Sequence, residues 1–244
     1  MTTILILTAV RAEAAAALGG FATREVRIGG QTGWLAETPA GPVVALPGGI
    51  GPANAAARGT HALAALRRGE VDGLDAWTGY VGTTPWPVLI VAGIGGGFAG
   101  RAAVGDAVVA SRIVHADLGA DSPDGFLSPT ELELPVEGGV VCSDELVGIV
   151  AARTGAVTGP IVTVSTVTGT AAGAAELVRR HDPAAEGMEG AGGWKAAEMY
   201  SFWPMEIRAV SNLVGPRDRD AWEIPRALGT LRRTMTDLLS EPLP

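Results

Sequence analysis

One cysteine, Cys142, stands in the 244 residues. That rules out a disulfide within the chain and argues against a metal site built on thiolates. Only three histidines are present, His61, His115 and His181, far apart and without H-E-x-x-H spacing, so no metal is expected. No apolar run reaches the length needed to span a bilayer. The first residues, MTTILILTAV, are apolar but carry no basic segment and run straight into Arg11 and Glu13. They read as a buried strand and not as a signal peptide. Basic residues gather only in the pairs Arg67–Arg68, Arg179–Arg180 and Arg232–Arg233, and the net charge is −8. A basic stripe is the footprint of a nucleic-acid binder. Neither a nucleic-acid nor a membrane partner is expected, and the protein reads as cytoplasmic. A small anion held by one arginine stays open.

What is present points to a packed core. Hydrophobic residues make up 47%, and the mean hydropathy is +0.28, which excludes a disordered chain. The length suits a single α/β domain. Apolar runs predict strands over residues 3–8, 88–92, 107–115, 161–166 and 205–210. A meander of short strands is expected over 25–28, 32–36 and 42–46, where glycine and proline mark the turns. Ala-rich or amphipathic stretches predict helices over 9–18, 54–68, 144–153, 170–180 and 224–239. Ser143 is the expected cap of the third, and Thr168 or Thr170 of the fourth. A short turn is expected at Trp203 and Pro204. The segment 71–87, rich in Gly, Thr, Trp and Pro, reads as a long loop, and residues 77–87 could serve an interface.

Several residues stand where chemistry could be done. Glu13 falls in the first helical turn after the first strand. Glu189 opens a Gly/Ala-rich helical stretch after Met188, and Asn212 ends a strand. In open α/β sheets ligands collect beyond the carboxyl ends of strands. Glu189 and Asn212 are therefore expected to line a small-molecule site. Each also has a structural reading: Glu13 and Glu189 as acids complementing helix dipoles, Asn212 as a strand end satisfying backbone. Met188 could equally be core. Gly95, Gly97 and Gly100 match G-x-G-x-x-G literally, but the chain continues into a Gly-Asp turn and a strand, with no room for a helix. A dinucleotide fold is rejected, and Gly93 and Gly95 are kept as a glycine-lined edge for ligand. Trp203, Trp222, Phe98 and Phe126 could stack on a base or pack in the core.

Read in order, AVRAE from Ala9, GIGPANAA from Gly49, AGIGGGF from Ala92, VGDAVVAS from Val104, GMEGAG from Gly187 and IRAVSN from Ile207 resemble the nucleoside phosphorylase and methylthioadenosine/S-adenosylhomocysteine nucleosidase superfamily. The likeness spans nearly the whole chain. The ending IRAVSNLVGPRDRDAWEIPRAL is most similar to its futalosine hydrolase branch, nucleosidases of an alternative menaquinone pathway. The resemblance implies a three-layer αβα sandwich around a central mixed sheet, a homo-oligomer, no cofactor, and N-glycosidic cleavage of a purine nucleoside. Glu13 then matches the base that activates water, and Glu189 the ribose-binding carboxylate, with Met188 against the sugar. Asn212 stands where adenosine-specific nucleosidases carry Asp. An amide NH₂ can donate to the O6 and N7 acceptors of hypoxanthine, whereas the 6-amino group of adenine is itself a donor. The substrate expected is futalosine, cleaved to hypoxanthine. The alternatives are a methylthioadenosine/S-adenosylhomocysteine or aminofutalosine nucleosidase, a purine nucleoside phosphorylase, and a non-catalytic nucleoside-binding protein. The phosphate loop of the phosphorylases is absent near the N-terminus, although Arg11 is present.

Overall fold

A computed structural model describes residues 4–74 and 87–243. In chain order the elements are β1 (Ile4–Thr8), α1 (Arg11–Ala17), β2 (Thr23–Ile28), β3 (Gln31–Thr38), β4 (Gly41–Pro47), α2 (Pro52–Arg68), β5 (Val88–Gly97), β6 (Ala107–His115), β7 (Ala120–Ser122), β8 (Gly125–Leu127), β9 (Gly139–Val141), α3 (Asp144–Thr154), β10 (Val157–Thr163), α4 (Ala171–His181), β11 (Ala185–Gly187), α5 (Gly190–Tyr200), β12 (Trp203–Leu213) and α6 (Ile224–Leu238).

β1 shows why the layers form. All its residues are buried, and successive side chains enter different cores. Ile4 and Ile6 pack with Ala14 and Ala17 of α1 and with Leu231 and Met235 of α6. Leu5 and Leu7 pack with Leu63 and Leu66 of α2 and with Ala196 and Ala197 of α5. Helices thus cover both faces of a central mixed sheet, as expected. The large sheet has ten strands in the order β11-β10-β6-β12-β5-β1-β4-β3-β2, with β9 on β6. β11 also pairs antiparallel with β5. That extra pairing closes β5, β12, β6, β10 and β11 into a ring, a feature with no sequence signal.

The meander and the caps follow the sequence reading: Ser143 accepts the Leu146 N–H, and Thr170 accepts the Gly173 N–H. Three boundaries differ. β5 does not stop at Ala92 but continues through its glycines to Gly97. Trp203 and Pro204 are no turn; they begin β12, paired with Val88 and Leu89. Proline is tolerated there because the antiparallel pairing with β6 starts only at Ile207. β10 begins earlier than expected, at Val157, and shifts register between Gly159 and Pro160. β11, three residues long, was not expected at all. Most of the 71–87 loop, including all but Pro87 of the interface expected over residues 77–87, lies outside the described residues.

Candidate active site

β1, β4, β5 and β12 run parallel, so their carboxyl ends share one edge of the sheet. A cavity of about 620 Å³ opens at that edge, inside the usual range for small-molecule pockets. Glu13, Gly95, Met188, Glu189 and Asn212 all line it, joined by Thr168, Glu186, Ser211 and Trp222. The sequence places these residues up to 209 positions apart, from Glu13 to Trp222, and the fold brings them around one cavity.

Glu13 is buried and sits in the first turn of α1, where its side chain folds back on the chain. Oε2 accepts the Ala9 and Val10 N–H groups at 2.9 and 3.1 Å. Oε1 accepts the Ile94 N–H at 2.9 Å. The carboxylate is therefore fixed between the ends of β1 and β5 by backbone alone. Burial pushes its pKa above the ordinary carboxylate value; Arg208 and the Ile94 and Val10 amides pull it back, and Glu189 adds to the rise. A carboxylate held rigidly and made more basic by desolvation is suited to take a proton.

Glu189 is the residue at the start of α5. Its Oε1 accepts the Gly51 N–H at 3.1 Å, which ties it to the glycine turn before α2. Its Oε2 lies 3.0 Å from Arg208 Nη1. Arg208 is 1% exposed, and its Nε donates to Glu206 Oε1 at 2.9 Å. Complete burial pushes Glu206 up while Arg208 pulls it down. For Arg208 burial works against the charge, but Glu206, Glu189 and Glu13 outweigh it and hold the guanidinium well above its ordinary value. One buried cation thus serves three buried acids. Gly93, expected at the ligand edge, is set behind them: a Cβ there would lie 2.6 Å from Glu13 Oε1 and 2.8 Å from Arg208 Nη1. It makes room for the charge cluster and does not line the cavity, whereas Gly95 does.

Asn212 follows a bulge. β12 slips register against β5 between Val210 and Asn212, which re-aims the strand end. Asn212 Nδ2 donates to the Leu213 carbonyl at 3.1 Å, and its Oδ1 lies 2.8 Å from Ser211 Oγ. The Ser211 hydroxyl is also 3.1 Å from the Gly95 carbonyl, so it has one proton for two acceptors. The second Nδ2 hydrogen of Asn212 is left for a ligand.

Of the four aromatics considered, Trp222 lines the cavity, with Arg217 5.2 Å from its ring centre. Phe98 is buried in a core cluster, and Trp203 packs against the core. Phe126 stands under Arg180. Arg11, the cation left open for an anion, lies 5.1 Å over the Trp34 ring.

Three charged residues in or behind the candidate site escaped the sequence reading. Arg208 and Glu206 are charges two apart in the apolar strand MEIRAV. That spacing puts both on one face of a buried strand, where they must pair; the signal was there. Glu186 gave less warning, because β11 has no pattern to reveal it.

Comparison with known proteins shows the family. The model of the phosphorylase superfamily matches residues 3–241. Futalosine hydrolase from Streptomyces coelicolor is 46% identical over 187 residues, covering 76% of this chain and 74% of its own. Among solved structures, the native futalosine hydrolase of Helicobacter pylori superposes with a TM-score of 0.75 at 18% identity, over 97% of both chains. A 5'-methylthioadenosine/S-adenosylhomocysteine nucleosidase from Colwellia psychrerythraea, in complex with adenine, gives a TM-score of 0.74 at 22% identity, over 100% of this chain and 98% of its own. The chain belongs to the phosphorylase superfamily and, within it, to the futalosine hydrolase family.

Proposed function

We propose that this chain hydrolyses the N-glycosidic bond of futalosine, releasing hypoxanthine and dehypoxanthine futalosine in the futalosine route of menaquinone biosynthesis. The observation that carries the reading is the placement of Glu13, Glu189 and Asn212 around one cavity. Cleavage develops positive charge on the ribose and negative charge on the purine. Glu189, its charge shared with Arg208, accepts hydrogen bonds from the ribose hydroxyls near the cationic sugar. Met188 packs against the sugar. Glu13 takes a proton from the attacking water as the water oxygen bonds to the anomeric carbon. The bond to the base breaks, and its electron pair leaves with the purine. Asn212 steadies the departing base by donating from Nδ2 to N7 or O6. A carboxamide has no proton to give, so the base is finally protonated from solvent.

Water is favoured over phosphate as the nucleophile. Glu13 would repel a phosphate beside it, Arg208 is committed to three acids, and Arg11 is engaged with Trp34. No helix among the described residues is long and apolar enough to cross a membrane; we place the enzyme in the cytoplasm, as a homo-oligomer. Purified protein given futalosine in phosphate-free buffer should release hypoxanthine. No release overturns the reading, a strict phosphate requirement supports a phosphorylase, and adenine release from methylthioadenosine alone supports the adenosine-type nucleosidase.

A further inference from the structure

The charged segment PRDRD, residues 216–220, has no part in the reaction as written. It lies in the connection between β12 and α6, and hydrogen bonds fasten that connection at two points. The Arg217 N–H donates to the Gly169 carbonyl at 3.2 Å, and the Glu223 N–H donates to the Ser211 carbonyl at 2.8 Å. Arg217 and Trp222 are thereby brought to the cavity, and both line it. The Arg217 guanidinium carbon is 5.2 Å from the Trp222 ring centre, close enough for a cation–π contact that restrains an otherwise exposed side chain. Among the described residues Arg217 makes no ion pair with an acid. Its neighbour Asp218 also lines the cavity, but Asp218 Oδ1 accepts the Asp220 N–H of its own loop at 3.1 Å.

The opening of the cavity is apolar where a surface is usually polar. Val10, Ile50, Val167 and Leu213 line it, yet each is between 38% and 58% exposed. Exposed aliphatic side chains are ordinary one at a time, but several around one opening mark a surface that takes an apolar group. With the base on C1′ and the C2′ and C3′ hydroxyls on Glu189, the sugar's remaining position is C5′. A substituent there is what reaches the opening. It meets aliphatic side chains and, at Trp222, a cation with no acid of its own. Such a surface suits an apolar arm that ends in an anion. In futalosine C5′ carries a chain that ends in a benzoate.

We propose that Arg217, held on Trp222, binds the carboxylate at the end of the substrate's 5′ arm and makes the site select nucleosides whose arm is apolar and closed by a carboxylate. The assignment rests on the ribose-side role given to Glu189 in the proposed function. A guanidinium presents a planar pair of N–H donors that match a carboxylate. Arg217 moves no proton and forms no bond. Binding made away from the reacting bond holds the sugar in place for the step at C1′.

The test compares two compounds, futalosine and its carboxyl methyl ester, which keeps the arm but removes its charge. With the wild-type chain kcat/KM should be roughly 10-fold higher for futalosine, between the worth of an exposed ion pair and that of a hydrogen bond to a charged group. In Arg217→Gln that preference should disappear. In Arg219→Gln it should persist, because Arg219 stands 5.9 Å from the same ring but does not line the cavity. A general field of positive charge would instead lose the preference equally in both variants. Each ratio comes from one preparation, which cancels any loss of folded enzyme. Equal kcat/KM for acid and ester with wild type overturns the proposal without any variant. So does a preference that survives Arg217→Gln, or one that falls equally in Arg219→Gln. Turnover of neither compound removes the substrate reading and this assignment with it; equal turnover of both removes Arg217 alone.

Discussion

Arg208 Nη1 lies 3.0 Å from Glu189 Oε2, and the Nε of the same guanidinium holds Glu206 Oε1 at 2.9 Å. All three side chains are buried. Replacing Arg208 with Leu leaves Glu189, Glu206 and Glu13 without their cation in a dry interior. Breaking a buried pair on one side costs about 3–5 kcal/mol. Chemical denaturation of Arg208→Leu should show a loss of that size. A midpoint matching wild type would mean that the acids hold protons and need no cation. Arg208→Lys should rescue only part, because one ammonium cannot reproduce two directed contacts on opposite acids.

Glu13→Gln separates chemistry from binding. Loss of a general base typically costs 10²- to 10⁴-fold in rate, so kcat should drop within about that range. Binding of hypoxanthine should survive, because Asn212 and Trp222 are untouched. One structural cost is built in. Glu13 accepts three backbone N–H groups, and a Gln NH₂ placed at Oε1 would face the Ile94 N–H. Binding is therefore measured alongside rate. Undiminished turnover with folded protein would remove Glu13 from the mechanism.

The acid side of the pH profile should report Glu13. Its pKa in the fold lies above the ordinary carboxylate value of 4.5, chiefly because burial disfavours the charge. The base works only when ionised, so kcat/KM should fall as pH drops through a value above 4.5. Stability follows the opposite direction. Glu13, Glu186 and Glu206 are all raised, so each contributes most below its unfolded pKa and loses that contribution as pH rises through its folded one. Full kcat/KM maintained below the ordinary carboxylate range would contradict the assignment.

Much of the lining of this candidate site was legible in the sequence, and what was not has physical causes. Glu13, Met188, Glu189 and Asn212 each sit at an element boundary, where helix starts and strand ends leave a mark in the sequence. Gly93 was misplaced because a glycine that admits a ligand and a glycine that admits Glu13 and Arg208 look alike until the neighbours are seen. The turn expected at Trp203 and Pro204 followed local propensity, and tertiary pairing with Val88 and Leu89 overrode it. Glu186 was not legible because β11, the strand that carries it, is three residues long and leaves no pattern in the sequence.

Asn212→Asp tests the base-side assignment directly. Asn212 now donates from Nδ2 to the Leu213 carbonyl 3.1 Å away. An ionised Asp there would face that carbonyl with no hydrogen between them, so the variant either rotates away from Leu213 or takes up a proton. A protonated Asp can donate to purine N7, and adenine offers an acceptor there as hypoxanthine does. With that proton on N7, O6 lacks the donor that the second Nδ2 hydrogen of Asn212 can turn to it. Activity on futalosine should therefore fall by roughly tenfold or more, about one hydrogen bond's worth, while activity on the 6-amino analogue falls less or rises. The readout is the ratio of the two kcat/KM values, which cancels any general loss of folded enzyme. A ratio that stays at the wild-type value would place Asn212 in the role of a strand-end residue satisfying Leu213 and Ser211, and selection for the 6-oxo group would then have to come from elsewhere in the cavity.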